Sequence, residues 1–178
     1  MELGLEKNEV KLFPYTAEWQ KEFNRVKQQI VIVTGLGENR IQHIGSTAIT
    51  NMPAKPIIDI LVGVDDIAKV DRSLFKALQK IGFLRLRVER PGEIVLAKFT
   101  DDTYEVKTHF IHMVEFENEL WKNQLFFHNY LNSNAKARDE YRMIKVNSAK
   151  LKDININLYT DLKEPFVKSI FNKRINKG

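Results

Sequence analysis

The sequence predicts an α/β (α+β) fold in one domain over residues 1–178: a mixed β-sheet flanked by helices, then a C-terminal helical block from about residue 116. Three observations predict it. Trp19, Phe23, Val26, Ile30 and Val33 recur at intervals of four and three, the period of an amphipathic helix. Ile57 to Val62 is an apolar run broken by one carboxylate, Asp59, as in a central strand covered on both sides. From Glu115 onward the chain reads as helices divided at Asn132-Ser133-Asn134. Strictly alternating βαβ units are not visible, which argues against a doubly wound dinucleotide fold.

In chain order, residues 1–16 form an extended arm with a turn at Pro14. The first helix begins after Ala17, with Thr16 placed to cap it and Gly35 and Gly37 as exits. A short strand over 40–44 leads into Gly45-Ser46-Thr47, and a loop holding Pro53 and Pro56 leads into the 57–62 strand. Residues 65–80 are mostly helical, with Leu74, Ala77, Leu78 and Ile81 inward and Gly82 closing the element. Strands over 83–88 and 94–99 flank Pro91-Gly92 as a hairpin, and 104–114 is a further long strand. Helices follow over 116–131, 134–152 and 161–176.

The 178 residues are 43% hydrophobic and 29% charged, which is globular rather than disordered, and are enough to bury a core. There is no cysteine, which excludes disulfides and thiolate metal ligation. Met1 to Lys7 has neither the basic flank nor the apolar run of a secretory signal, and no apolar stretch approaches the ~20 residues of a membrane span. Cytoplasmic residence without a membrane partner is the default expectation. The net charge of +5 suits an anionic partner such as a nucleotide, but it is spread along the chain, so nucleic acid is not the expected ligand.

The chemistry concentrates between His43 and Val62. A glycine and two hydroxyls after a strand let backbone amides approach an anion, and Lys55 adds a point charge suited to phosphate. Asp59, within an apolar strand, needs a hydrogen-bond partner, a cation or an open strand end. A metal ion beside a phosphate-binding loop would satisfy these groups together. A structural turn, with Asp59 accepting backbone amides or pairing with Lys55 or Arg40, satisfies them as well. Neither a Walker loop nor a dinucleotide glycine fingerprint occurs.

His43-Ile44-Gly45-Ser46-Thr47-Ala48 followed by Ala54 to Val62 closely resembles the GrpB family, a group assigned to the nucleotidyltransferase superfamily and fused to dephospho-coenzyme A kinase in some bacteria. The resemblance covers nearly the whole chain: Val10 to Tyr15 with Trp19 and Phe23, His109 to Val114, Phe127 to Leu131, Tyr141 with Lys145, and Tyr159 with Lys163. It implies a nucleotidyltransferase-like core, with a nucleoside triphosphate and Mg²⁺ as expected cofactors. Gly45 and Ser46 become the phosphate grip and Asp59 the first metal carboxylate. His43, Thr47, Lys55, Lys145 and Lys163 join the ligand-binding set. The second metal carboxylate belongs at position 61, which is leucine here, so Glu105 on the later strand is the remaining candidate. Where the family usually has an Arg-Asp pair, this chain has His128 and Asn129.

Of the four histidines, His109 and His112 lie three apart on a strand and so face opposite sides. His109 shares a face with Lys107 and Glu105 and is assigned to the pocket, making Asp59, Glu105 and His109 the candidate catalytic set. His112 reads as a hydrogen-bonded core or edge histidine. Three functions fit: metal-dependent nucleotidyl transfer, a non-catalytic module binding a phosphorylated small molecule, and a histidine-based metal hydrolase. Leu61 speaks for the second.

Overall fold

The computed structural model describes residues 2–6, 8–88 and 90–176. Five strands form one sheet: β1 (Ile41–Ile44), β2 (Ile58–Val64), β3 (Phe83–Arg85), β4 (Ile94–Phe99) and β5 (Lys107–Glu115). Their order is β1-β2-β5-β4-β3. Only the central β2–β5 pair is parallel, so the sheet is mixed. The helices are α1 (Glu18–Thr34), α2 (Arg72–Gln79), α3 (Glu119–Ser133), α4 (Ala135–Ala149) and α5 (Ile156–Ile175).

Strand parity divides the molecule into layers. Ile58, Ile60 and Val62 face one side and pack with Trp19, Phe23, Val26 and Ile30 of α1 and Leu78 of α2. On the other side Leu61 packs with Ile44, Val114 and Trp121 beneath α3. A third cluster joins Ile49 and Met52, from the loop after β1, to Phe127, Tyr141, Phe166 and Ile170 of the helical block. The loop carrying Gly45 to Pro53 is therefore gripped between the sheet and that block. Asn132 tightens the grip, accepting from the Thr50 amide at 2.9 Å and donating to the Ala48 carbonyl at 3.2 Å.

The N-terminal arm lies along the same region. Phe13 exchanges backbone hydrogen bonds with Ala54 at 2.8 and 3.0 Å, and the Gly4 amide donates to the Pro56 carbonyl at 2.8 Å. Gly4 has φ +100°, and a Cβ there would lie 2.5 Å from Val106 Cγ1, so only glycine fits the arm against the approach to β5.

Several boundaries differ from the sequence expectation for identifiable reasons. The segment 65–80 is not one helix: Asp66 caps a short 3-10 turn, and Asp71 then starts α2, its carboxylate accepting from Ser73 and Leu74 amides at 2.8 and 3.1 Å. β5 begins at Lys107, not Tyr104, because Tyr104 adopts φ +59° and turns the chain. β3 ends at Arg85 instead of 88. α5 starts at Ile156, five residues earlier than the pattern implied, because Asn155 caps two amides at 3.0 Å each. That early start places Tyr159 and Lys163 on one helix face, one turn apart.

Candidate functional site

Gly45 ends β1 with φ +70° and ψ −172°. A Cβ at this position would lie 2.3 Å from Asp59 Oδ2 and 3.0 Å from Asp59 Cβ, so glycine is what lets the Ser46–Ala48 turn pass directly over the carboxylate. Asp59 pairs across β2 with Ile44 on one side and Phe110 on the other. It opens into a cavity of about 160 Å³ whose other walls include Ser46, Thr47, Lys55, Tyr159 and Lys163, with Lys145 at its back.

The three lysines arrive from separate elements: Lys55 from the loop before β2, Lys145 from α4 and Lys163 from α5. Lys145 is only 1% exposed. Its Nζ donates to the Pro53 carbonyl at 2.5 Å and lies 5.5 Å from the centre of the Tyr141 ring. Lys163 Nζ sits 4.1 Å over the Tyr159 ring. Burial lowers the pKa of all three; Lys55 and Lys163 add mutual repulsion to it at Lys145, while Asp59 acts in the opposite sense. Lys163 falls to about 8, and Lys145 well below the ordinary lysine value. Burial lifts the Tyr141 hydroxyl, which faces Ser46, to about 12, so it is a neutral donor. The Tyr159 hydroxyl is buried and has no hydrogen-bond partner among the described residues.

Asp59 has a partner outside this cationic cluster. His112 Nε2 lies 3.4 Å from Asp59 Oδ1, and its Nδ1 donates to Glu93 Oε1 at 2.5 Å. Burial opposes the charged ring, but hydrogen bonds to Asp59 and then Glu93 outweigh it and raise the His112 pKa to about 9. His112 is thus an imidazolium held between two carboxylates at neutral pH.

The structure brings Asp59, Gly45, Ser46, Thr47, Lys55, Lys145 and Lys163 together around one cavity. His43 stands behind it, stacked on Phe23 at 4.7 Å. Donation from His43 Nδ1 to Gln20 at 3.0 Å leaves Nε2 to accept from the Thr47 hydroxyl at 3.0 Å. Burial drops its pKa to about 3, so it orients Thr47 as a neutral ring.

The set Asp59, Glu105 and His109 does not converge. β5 pairs His109 with Ile58 and Phe110 with Asp59, so His109 faces the α1 side, opposite Asp59. There it lies 3.1 Å from Glu22, and burial lowers its pKa to about 4 despite that carboxylate. Glu105 is exposed on the loop before β5 and lines a neighbouring cavity rather than the one that holds Asp59. His112, read from sequence as a plain core or edge histidine, is the one that meets Asp59. Parity separates His109 from His112 but does not say which of them meets Asp59; the β2–β5 register decides it. Glu93, beside the Pro91-Gly92 turn, carried no sequence signal. His128 serves the loop, its Nε2 lying 3.2 Å from the Ala48 carbonyl.

These donors do not fit a pair of Mg²⁺ ions. Leu61 is fully buried against Ile44, Val114 and Trp121, Glu105 lies elsewhere, and one oxygen of Asp59 already faces an imidazolium. Among the described residues no three histidine or carboxylate groups gather in a metal-holding arrangement. What the arrangement does offer an anion is three lysine side chains, the Tyr159 phenol and the Ser46 hydroxyl, the Thr47 proton being directed at His43.

Comparison with known proteins agrees with the motif and the fold. The family model described as GrpB protein matches residues 9–173. The glutamate-rich protein GrpB of Alkalihalophilus pseudofirmus is 38% identical over 96% of this chain and 99% of its own length. The crystal structure of the conserved protein GrpB from Enterococcus faecalis superimposes with a TM-score of 0.78 at 31% identity, covering 94% of this chain and 98% of that one. A more distant likeness, to the Cid1 poly(U) polymerase, has a TM-score of 0.50 at 14% identity over 74% of this chain and 43% of that one, and reflects a shared nucleotidyltransferase-like fold. With a family model spanning nearly all of it and a full-length relative of the same architecture, this chain is a member of the GrpB family.

Proposed function

We propose that this protein binds a nucleotide or another phosphorylated small molecule at the Asp59 cavity, with lysine side chains in place of divalent metal as the principal counter-charge. The observation that carries the reading is the convergence of Lys55, Lys145 and Lys163 on a single cavity with an unpartnered Tyr159 hydroxyl. Burying like charges together lowers the stability of the unliganded protein, and a phosphate relieves exactly that repulsion. Asp59 supplies one opposing charge and shares the His112 imidazolium with Glu93, so the three lysines remain in excess of it. Phosphorylated metabolites of this class are cytoplasmic, and the proposal places the protein there.

Isothermal titration of the intact chain with pyrophosphate and with nucleoside triphosphates, in EDTA and in millimolar Mg²⁺, tests the proposal. Binding in EDTA is expected, weakened at least tenfold by Lys145→Met. Failure of every one of these anions to bind, with or without metal, would refute it.

Nucleotidyl transfer is the second reading, favoured by Asp59 standing on the wall of the same cavity as Ser46. It requires Mg²⁺-dependent release of pyrophosphate from a triphosphate. A substrate screen without such release, alongside binding in EDTA, leaves the binding function alone.

A further inference from the structure

The phosphate cavity shares three of its walls, Lys55, Ile57 and Phe110, with a second cavity of about 230 Å³. Neither the 160 Å³ space nor the 230 Å³ one alone reaches the ~300–1,000 Å³ of ordinary small-molecule sites, whereas the two adjoining volumes taken together do. Their chemistry differs. The first gathers three lysines around Asp59; the second has an apolar lining that includes Leu5 and Phe110 and sets three carboxylates, Glu6, Glu9 and Glu105, against Lys55 and Lys107. The outer wall is the N-terminal arm. Leu5 is buried and bridged to Lys107 beside β5, and the Gly4 amide is tied to the Pro56 carbonyl at 2.8 Å. The arm is therefore a built part of the cavity.

We infer that the second cavity holds the non-phosphate half of the ligand, a ring bearing hydroxyl or amino donors, and that the arm and Glu105 select it. This rests on the phosphate reading of the first cavity. The second cavity has more carboxylates than lysines and the first more lysines than carboxylates, so the pair favours a ligand with its phosphate in the first and an uncharged or cationic ring toward Glu6, Glu9 and Glu105. Phe110, common to both spaces, offers an aromatic surface to that ring. The donors come from a nucleoside or from a simple sugar, and both are included in the test. Glu105 is thus assigned to specificity, away from Asp59.

Calorimetric titration of the full chain without divalent metal compares inorganic phosphate with ribose 5-phosphate, and pyrophosphate with ADP and UDP. At least one ester is expected to bind about tenfold or more tightly than its bare anion. Glu9→Ala combined with Glu105→Ala, both exposed positions, should erase about 3- to 10-fold of that gain and leave pyrophosphate unchanged. Pyrophosphate binding with no gain for any ester overturns the second subsite alone, as does a double variant that retains the full gain or loses pyrophosphate equally. Absence of binding by every one of these anions and esters refutes the phosphate reading and removes the second subsite with it.

Discussion

Replacing Glu93 with glutamine isolates the charge on His112. The ring pKa stands at about 9 against an ordinary 6.5, a difference worth about 3 kcal/mol of preference for the protonated folded state. Because the folded value is raised, this stabilisation is fully present below pH 6.5 and is lost as pH climbs through 9. Asp59 and Glu93 both hold the imidazolium, with Asp59 the larger contributor, so Glu93→Gln should remove about 1–2 kcal/mol of it. Lys163 works in the other sense: its folded pKa of about 8 costs stability while it is protonated, and that cost fades between pH 8 and the ordinary lysine value. Wild type alone would blur the two, but the difference between wild type and Glu93→Gln cancels Lys163. The Arg90–Glu93 pair at 3.4 Å is lost with the substitution, so the change in the gap between pH values, and not its absolute size, reads His112. Urea denaturation of both proteins at pH 6.5, 8 and 10 reads the result. The expected gap is about 1–2 kcal/mol at pH 6.5, shrinking toward the value of one neutral hydrogen bond by pH 10. A gap of the same size at pH 6.5 and 10 would refute an imidazolium between two carboxylates.

Phosphate binding should weaken above pH 8, by as much as tenfold per pH unit, because protonated Lys163 is the binding form and its pKa is about 8; titrations with pyrophosphate at pH 7, 8 and 9 check this, and a flat profile would contradict it. Tyr159→Phe removes a buried hydroxyl that has no partner among the described residues, so thermal unfolding should show the unliganded protein unchanged or stabilised by about 1 kcal/mol, while pyrophosphate affinity falls about 3- to 10-fold. A destabilised variant with unchanged affinity would show that the hydroxyl serves the fold. Gly45→Ala combines a φ of +70° with a Cβ placed 2.3 Å from Asp59 Oδ2, and should cost about 2–4 kcal/mol in chemical denaturation; a loss under 1 kcal/mol would mean the turn does not need glycine.

The layers of the molecule were legible because they rest on local periodicity. The spacing of Trp19, Phe23, Val26 and Ile30 reports which side of α1 is buried, and these four side chains are the ones in the core. The lone carboxylate in an apolar run likewise marked Asp59 as needing a partner. The identity of that partner depends on the β2–β5 register, which joins residues about fifty positions apart and leaves no periodic trace. Glu105 was misplaced for a related reason. Counting alternation back from His109 treats residues 104–106 as strand, whereas β5 begins only at Lys107 and Glu105 lies on the loop before it. Asn155 shows the converse: a helix cap was present in the sequence but adds no apolar spacing, so the start of α5 was read too late.

On the binding reading proposed above, Leu61 and His112 together account for a nucleotidyltransferase-like fold that recognises an anion without metal. A transferase of this architecture needs several carboxylates on one face of the sheet and hard cations to neutralise them. Here the second carboxylate position is filled by a leucine that packs under α3, and the first carboxylate faces a cation carried by the protein itself. An imidazolium is fixed in place, supplies one charge, and leaves no open coordination position for a substrate oxygen. In that proposal the lysines take the place of a metal, from α4, α5 and the loop before β2, each held by packing on a tyrosine or by burial. Ordered, desolvated ammonium groups favour an anion in its ground state, and nothing in that arrangement strengthens selectively as charge moves to a leaving group. The geometry therefore weighs toward recognition over transfer, and binding in EDTA without pyrophosphate release is the outcome that this weighing requires.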